Sequence, residues 1–78
     1  MIASLSGAIA EKSSSEAVLD VHGVGYRVHF SSLTLSKLPD TGQPARVRIR
    51  TVVREDALEL FGFLTHAEEE MFLLLTSV

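Results

Sequence analysis

Two strand-like runs joined by a short charged segment limit the fold of this chain more than any other feature. The runs cover residues 46–51 and 58–63, and residues 52–57 join them. Two such runs separated by a few polar residues are typical of a β-hairpin. The sequence therefore predicts two antiparallel strands with a charged tip between them.

The tip of this hairpin carries two adjacent carboxylates, Glu55 and Asp56, with no lysine beside them. Arg54 is the only cation near enough in the sequence to compensate them, and one arginine cannot neutralise both. We expect the pair to point into solvent. Two interpretations stay open at this point. The pair is either an ordinary solvated turn, where both residue types are common, or a charged surface directed toward whatever the domain binds.

Most of the remaining sequence also has strand character. The five predicted strands cover residues 1–11, 17–21, 24–30, 46–53 and the run after the tip. Gly7 inside the first strand predicts a bulge or a sharp bend, as small barrels need. Ser31 or Ser32 can cap a short helix over residues 33–38. The order matches an oligonucleotide-binding (OB) barrel. We predict a mainly β fold, a five-stranded OB-type barrel with a short helix between strands 3 and 4, followed by a C-terminal helix.

The end of the sequence differs in kind from the strands. Thr65 and Glu68 have the spacing of a capping box at a helix start. Residues 71–75 are then apolar on every side of that helix, so something must bury it. We expect a barrel domain over residues 1–63, with residues 64–78 as the first helix of a second domain that the sequence does not complete.

Composition excludes several classes of function. A chain of 78 residues forms one small domain, near the size at which a single core is only marginally sufficient. There is no cysteine, and His22, His29 and His66 are too far apart to form a ligand pattern, so no metal or cofactor is expected. Neither a signal-peptide pattern nor a membrane-length apolar run is present. We expect a cytoplasmic protein without membrane contact.

Three features argue against a phosphate site in this sequence. The glycines of residues 22–25 precede a strand rather than a helix N-terminus, so we reject a phosphate-binding loop. Arg46, Arg48 and Arg50 share one face of a strand, and we interpret that face as solvated rather than as a phosphate track. The net charge of −3 also argues mildly against nucleic-acid binding.

Several short motifs nevertheless occur in the order found in one protein family. They are Met1-Ile2 with Leu5 and Gly7, Gly23-Val24-Gly25-Tyr26, Leu38-Pro39, Gly42, Val52-Val53-Arg54-Glu55-Asp56-Ala57 and Phe61-Gly62-Phe63. This pattern resembles, over essentially the whole chain, the amino-terminal domain of the RuvA family, bacterial proteins that recognise Holliday junctions. Two departures concern a local turn and one polar contact: His22 stands where a glycine is common, and Arg50 where histidine is frequent.

The resemblance implies a non-catalytic subunit that binds four-way junction DNA as a homotetramer in recombination and repair. Glu55 and Asp56 match the family's acidic pin at the junction centre, and Arg54 and His29 are candidate contacts to the DNA backbone. The implied partners are a RuvB-type hexameric ATPase motor, bound through a domain outside these residues, and a RuvC-type junction resolvase. Residues 64–78 would begin a truncated helix-hairpin-helix domain, whose basic groups supply much of the DNA affinity. An acidic barrel domain is therefore compatible with DNA binding by the complete subunit.

Two other functions fit parts of the pattern. An OB-like assembly domain that binds only protein would leave Glu55 and Asp56 as an ordinary surface turn. Base-stacking aromatic residues would favour nucleic acid, but the aromatic residues here have the character of core residues: Tyr26, Phe30, Phe61, Phe63 and Phe72. A glycosidase-like carboxylate pair fits poorly, because such residues lie on opposite sides of a cleft rather than side by side on one turn.

Overall fold

The chain forms a closed five-stranded barrel with one helix inserted and one appended. A computed structural model describes residues 1–76. The elements are β1 (Ser4–Lys12), β2 (Glu16–Val21), β3 (Val24–His29), α1 (Ser32–Lys37), β4 (Pro44–Arg54), β5 (Ala57–Phe63) and α2 (His66–Thr76). The strands close in the order β1-β2-β3-β5-β4. Only the β3–β5 pairing is parallel. This confirms the predicted OB-type barrel and its C-terminal helix.

Alternation along the strands explains why the barrel closes around one core. Ile9, Leu19, Val28 and Val47 are at most 1% exposed, and successive residues on each strand point to opposite faces. The helix α1 follows β3 and adds Leu35 and Leu38 to this core. Its start is capped by Ser31, whose hydroxyl oxygen accepts a hydrogen bond from the Thr34 amide at 3.1 Å. The cap thus falls on the first of the two predicted serines.

Gly7 allows the closest backbone approach in the barrel. At this point β1 passes from pairing with β4 to pairing with β2. A Cβ atom at position 7 would overlap the carbonyl oxygen of Asp20. The irregularity in the β1–β2 register lies between Ile9 and Glu11. The predicted bulge at Gly7 is therefore misplaced, and the glycine serves close packing of two backbones instead.

The β2–β3 turn explains the first departure from the family pattern. It consists of His22 and Gly23, whose φ angles are 52° and 90°. A two-residue turn with positive φ at both positions suits the twist of a hairpin and favours glycine or asparagine. Asp20 stabilises the turn, because its Oδ1 accepts a hydrogen bond from the Gly23 amide at 2.8 Å. His22 adopts this conformation although it has a Cβ atom.

The helix α2 is attached to the barrel through Glu68. The predicted capping box is confirmed: the Glu68 amide donates to Thr65 Oγ1 at 3.1 Å, and the Thr65 amide donates to Glu68 Oε1 at 3.1 Å. Glu68 also accepts hydrogen bonds from the Leu64 amide and from Thr34 Oγ1, both at 2.9 Å. Desolvation raises the pKa of Glu68, but these hydrogen bonds and nearby Lys37 outweigh it, so the pKa lies below its ordinary value. One carboxylate thus links α2 to α1.

A second apolar cluster lies between α2 and the outside of the barrel. The Phe72 ring centroid is 5.1 Å from that of Phe61 and 5.2 Å from that of Phe63. Both β5 residues alternate with the inward-facing Leu60, so they lie on the outer face of the sheet. Phe63 is nevertheless buried, at 7% exposed, which confirms its predicted core character, whereas Phe61 is only half-buried and the prediction is wrong there. Phe72 therefore packs against the barrel, whereas Met71, Leu74 and Leu75 are 58–72% exposed. The last two residues of the predicted helical segment, 77 and 78, lie outside the described part of the chain.

A substitution at Gly7 tests the close approach of β1 to β2. Gly7→Ala should lower the free energy of unfolding by about 1–3 kcal/mol, the usual cost of overpacking, because the opposing group is a backbone carbonyl that cannot rotate away. Gly25→Ala is the matched control, since its Cβ would meet only Val18 Cγ1, at 3.2 Å. Urea unfolding of both variants measures the difference. Equal stability of the two variants would contradict the packing described for Gly7.

Replacement of Glu68 tests the attachment of α2. Glu68→Ala should lower the local stability of α2 by about 1–2 kcal/mol, because the helix start loses the carboxylate that accepts its backbone hydrogen bonds. Amide hydrogen exchange should accelerate in α2 and stay slow in the barrel strands. Glu70→Ala is the control, since Glu70 lies on the same helix and bonds only to His66 within the described residues. Equal acceleration by both variants would contradict the special role of Glu68.

The pH dependence of α2 follows from the lowered pKa of Glu68. Its stabilising contribution is complete above the unfolded-state pKa of a glutamate, about 4.3, and is lost as the pH falls through the lower folded-state value. The protection of the α2 amides, corrected for the slower intrinsic exchange at low pH, should therefore fall on acidification before that of the barrel strands, and this fall should be absent in Glu68→Ala. Simultaneous opening of α2 and the barrel on acidification would contradict this role of Glu68.

Candidate nucleic-acid interface

The β4–β5 hairpin extends beyond the closed part of the barrel. Its register runs without a break from Arg48 opposite Phe63 to Arg54 opposite Ala57. The last inward-facing pair that is buried is Thr51 with Leu60. Beyond this pair the hairpin continues into solvent and ends in a two-residue turn. The predicted hairpin is thus confirmed, and its tip is a projection rather than part of the barrel wall.

The turn consists of the two predicted carboxylates, Glu55 and Asp56, and both are exposed. Arg54 does not compensate them: its Nε lies 3.6 Å from Glu59 Oε1, across the hairpin. Within residues 1–76, neither Glu55 nor Asp56 takes part in an ion pair. The tip therefore presents two carboxylates side by side. The sequence did not single out Glu59, although it shares a face of the hairpin with Arg54 by strand alternation.

His29, the other candidate for a backbone contact, lies far from the tip. It ends β3 beside Phe61, with the two ring centroids 5.3 Å apart. Phe61 lies five positions along the chain from Asp56, which corresponds to about 17 Å of strand. His29 Nδ1 lies 3.5 Å from Glu16 Oε2. The structure therefore does not bring His29 together with the tip.

The predicted arginine row lies on the outer face of β4, but α2 covers part of it. Arg46 is exposed, as expected for a solvated face. Arg48 Nε donates to Glu69 Oε1 at 2.8 Å, and its Nη2 lies 3.1 Å from His66 Nδ1. Arg50 is half-buried, and its Nε has no hydrogen-bond partner among the described residues. The interpretation of a solvated row is correct at Arg46 and wrong at the half-buried Arg50. The sequence alone also did not place α2 beside Arg48.

The chemistry available at the tip is electrostatic. Two exposed carboxylates make the local electrostatic potential more negative. This disfavours phosphate within roughly one Debye length, about 8 Å at physiological salt. Residues 1–76 contain no group of three or more His, Asp or Glu side chains placed to hold a metal ion. In the same part of the chain, no helix is long and apolar enough to cross a membrane. The arrangement can discriminate between shapes of a polyanion, but it cannot attract one.

Comparisons of the sequence with known proteins identify one family. The family model described as the RuvA N-terminal domain matches residues 1–62. Curated relatives named "Holliday junction branch migration complex subunit RuvA" align with all 78 residues. The relative from Myxococcus xanthus is 65% identical, and the chain covers 39% of it. The relatives from Rhodopseudomonas palustris and Anaeromyxobacter are 51% and 50% identical, with 38% and 40% covered.

The chain spans about two fifths of the length of these curated relatives. Its match to the family model includes every strand of the barrel except the last residue of β5, together with the charged tip. The resemblance noted in the sequence is therefore confirmed, and the chain belongs to the RuvA N-terminal domain family.

Proposed function

We propose that this domain is the part of a RuvA-type subunit that senses the centre of a four-way DNA junction. The observation that supports this most strongly is the pair of exposed carboxylates, Glu55 and Asp56, at the end of a projecting hairpin with no ion pair among the described residues. The relatives' printed name, a branch migration complex subunit for Holliday junctions, supports the same substrate.

The acidic pin, defined as Glu55 and Asp56, acts in this proposal by repulsion. A continuous duplex would bring phosphates close to the pin, whereas an open junction leaves a gap between its four arms. Each carboxylate opposes a phosphate at about 4 Å by roughly 1 kcal/mol in water. The pin therefore lowers the affinity for duplex more than the affinity for a junction. Specificity arises here from a penalty on the wrong ligand.

Affinity must come from other groups, because the pin cannot supply it and the chain carries a net charge of −3. We place Arg54 at the nearest DNA backbone, since it is exposed and adjacent to the pin. His29 is a second proposed contact, which would contribute charge only when protonated. Further contacts are assigned to a helix-hairpin-helix domain that begins with residues 64–78. The division into a barrel domain over residues 1–63 and this second domain is part of the proposal.

The relatives' printed name, a complex subunit, supports partner proteins, and we extend this to a specific assembly. Four copies would surround one junction, with a RuvB-type hexameric ATPase as the motor and a RuvC-type resolvase as a further partner, in the cytoplasm. The domain itself would be non-catalytic and need no cofactor, because adjacent carboxylates on an exposed turn offer neither a nucleophile–base pair nor a shaped pocket for substrate. Hydrolysis of ATP would belong to the motor.

The rival function is an OB-like assembly domain that contacts only protein. The exposed apolar residues of α2, Met71 and Leu75, are the observation that favours it. Under this alternative the pin is an ordinary solvated turn, and its neutralisation has no effect on DNA. The two functions are therefore separated by the same experiment.

Neutralising the pin tests the proposal. In the complete subunit, Glu55→Gln with Asp56→Asn should strengthen duplex binding more than junction binding, so the junction-to-duplex affinity ratio should fall roughly two- to fivefold, the equivalent of about 0.5–1 kcal/mol. Binding is measured by titration at one fixed salt concentration. The control is Glu11→Gln with Asp40→Asn, which makes the same change in net charge at exposed positions elsewhere on the barrel. A ratio that stays constant, or that falls equally in the control, would exclude the pin as the discriminating element.

A salt titration tests the two kinds of arginine. Arg54→Ala should reduce the slope of log K against log salt by about one, as expected when one phosphate contact is lost. Arg46→Ala, at an exposed position away from the tip, should leave the slope nearly unchanged. The opposite pattern would show that the outer face of β4, rather than the hairpin tip, follows the DNA backbone.

A further inference from the structure

The projecting hairpin has two unlike faces. Val53 lies directly opposite Leu58 in the ladder, and these side chains are 61% and 60% exposed. By strand alternation they continue the inward-facing row that ends in the core with Thr51 and Leu60. The core-facing surface therefore extends beyond the barrel as an apolar pair directly below the pin.

The opposite face of the hairpin carries Arg54 and Glu59, which form the ion pair described above, at 3.6 Å between Nε and Oε1. Val52 and Ala57 share that face, but Val52 is half-buried and Ala57 has only a methyl group. The large, mostly exposed apolar side chains of the projecting hairpin are therefore confined to the other side. Because that pair is mostly exposed, it adds little burial to the stability of the hairpin and stays available to a ligand.

The surroundings of the pair limit what this ligand can be. Phosphate is disfavoured, because Glu55 and Asp56 lie within two or three residues of the pair along each strand. A second protein is disfavoured by size, since a stable interface buries at least about 1,200 Å² and two side chains cannot provide that area. The flat face of a nucleobase is uncharged, and DNA-binding proteins insert apolar side chains such as leucine between base steps, which they partly unstack.

We propose that Val53 and Leu58 form an apolar wedge that contacts unstacked bases at the branch point of the junction. This inference rests on the proposed function and adds a ligand to it: the pin excludes the backbone, and the wedge receives the bases. Neither side chain has a hydrogen-bonding group, so the contact does not depend on the base sequence. A branch point of any sequence would therefore be accepted.

The test uses a four-way junction with 2-aminopurine, a base whose fluorescence rises when it is unstacked, next to the branch point. Binding of the complete wild-type subunit should raise the fluorescence. The double variant Val53→Thr with Leu58→Gln should lose most of this rise. Its junction affinity should stay within about tenfold of wild type, because the lost contact and the avoided unstacking cost are both a few kcal/mol. Leu33→Gln is the matched control, since Leu33 is 63% exposed on α1, and it should retain the rise.

The outcomes separate the wedge from the proposed function. Junction preference with no fluorescence rise, or with the same rise in the double variant, would overturn the wedge and leave the function intact. Absence of junction preference in the wild type would overturn both. Sedimentation of the double variant provides a further reading: a changed oligomeric state would show that a second protein copy, not a base, covers the pair. Both substitutions are at exposed positions, and an unchanged melting temperature confirms that the barrel is folded.

Discussion

The hydrogen-bonded ladder between β4 and β5 is the constraint on which the rest of this structure depends. The same strand pair closes the barrel beside β1 and β3 and then continues outward to the pin. Because only two residues form the turn, no flexible loop separates Glu55 and Asp56 from the core. A repulsive group discriminates between ligands only if it cannot move away from them, and the continuous ladder provides that restraint.

In the proposed function, an acidic domain is compatible with a DNA-binding subunit because the repulsion from the pin falls off within roughly one Debye length. The repulsion would therefore act on the centre of a junction and not on its arms. The position of α2 on the barrel is set by contacts with three elements. Glu68 links this helix to α1, Glu69 pairs with Arg48 of β4, and Phe72 packs against β5. These three contacts fix the direction of α2 against the barrel.

Much of the fold was predictable because its signals are local. Alternation and turn residues predicted the five strands, and the spacing of Thr65 and Glu68 predicted the start of α2. The pin was found from two adjacent carboxylates between strand runs. What the sequence did not reveal depends on contacts between distant segments. The contact of Arg48 with α2 and the place of Phe61 outside the core both require the closed barrel. The pairing of Arg54 with Glu59 requires the register across the hairpin. Strand alternation alone would place Val53 in the core-facing row of β4, but the barrel ends one pair earlier, at Thr51 and Leu60.

The central claim is that the hairpin tip lies at the branch point, and its most direct measurement is a map of where the tip touches DNA. A photocrosslinking residue in place of Ala57, next to the pin, leaves both carboxylates unchanged. Irradiation of the complete subunit bound to a fixed four-way junction, followed by sequencing of the crosslinked strands, gives the position of the tip. The account predicts crosslinks within a few nucleotides of the branch point on all four strands. Crosslinks distributed along the arms, or crosslinks to protein alone, would contradict it.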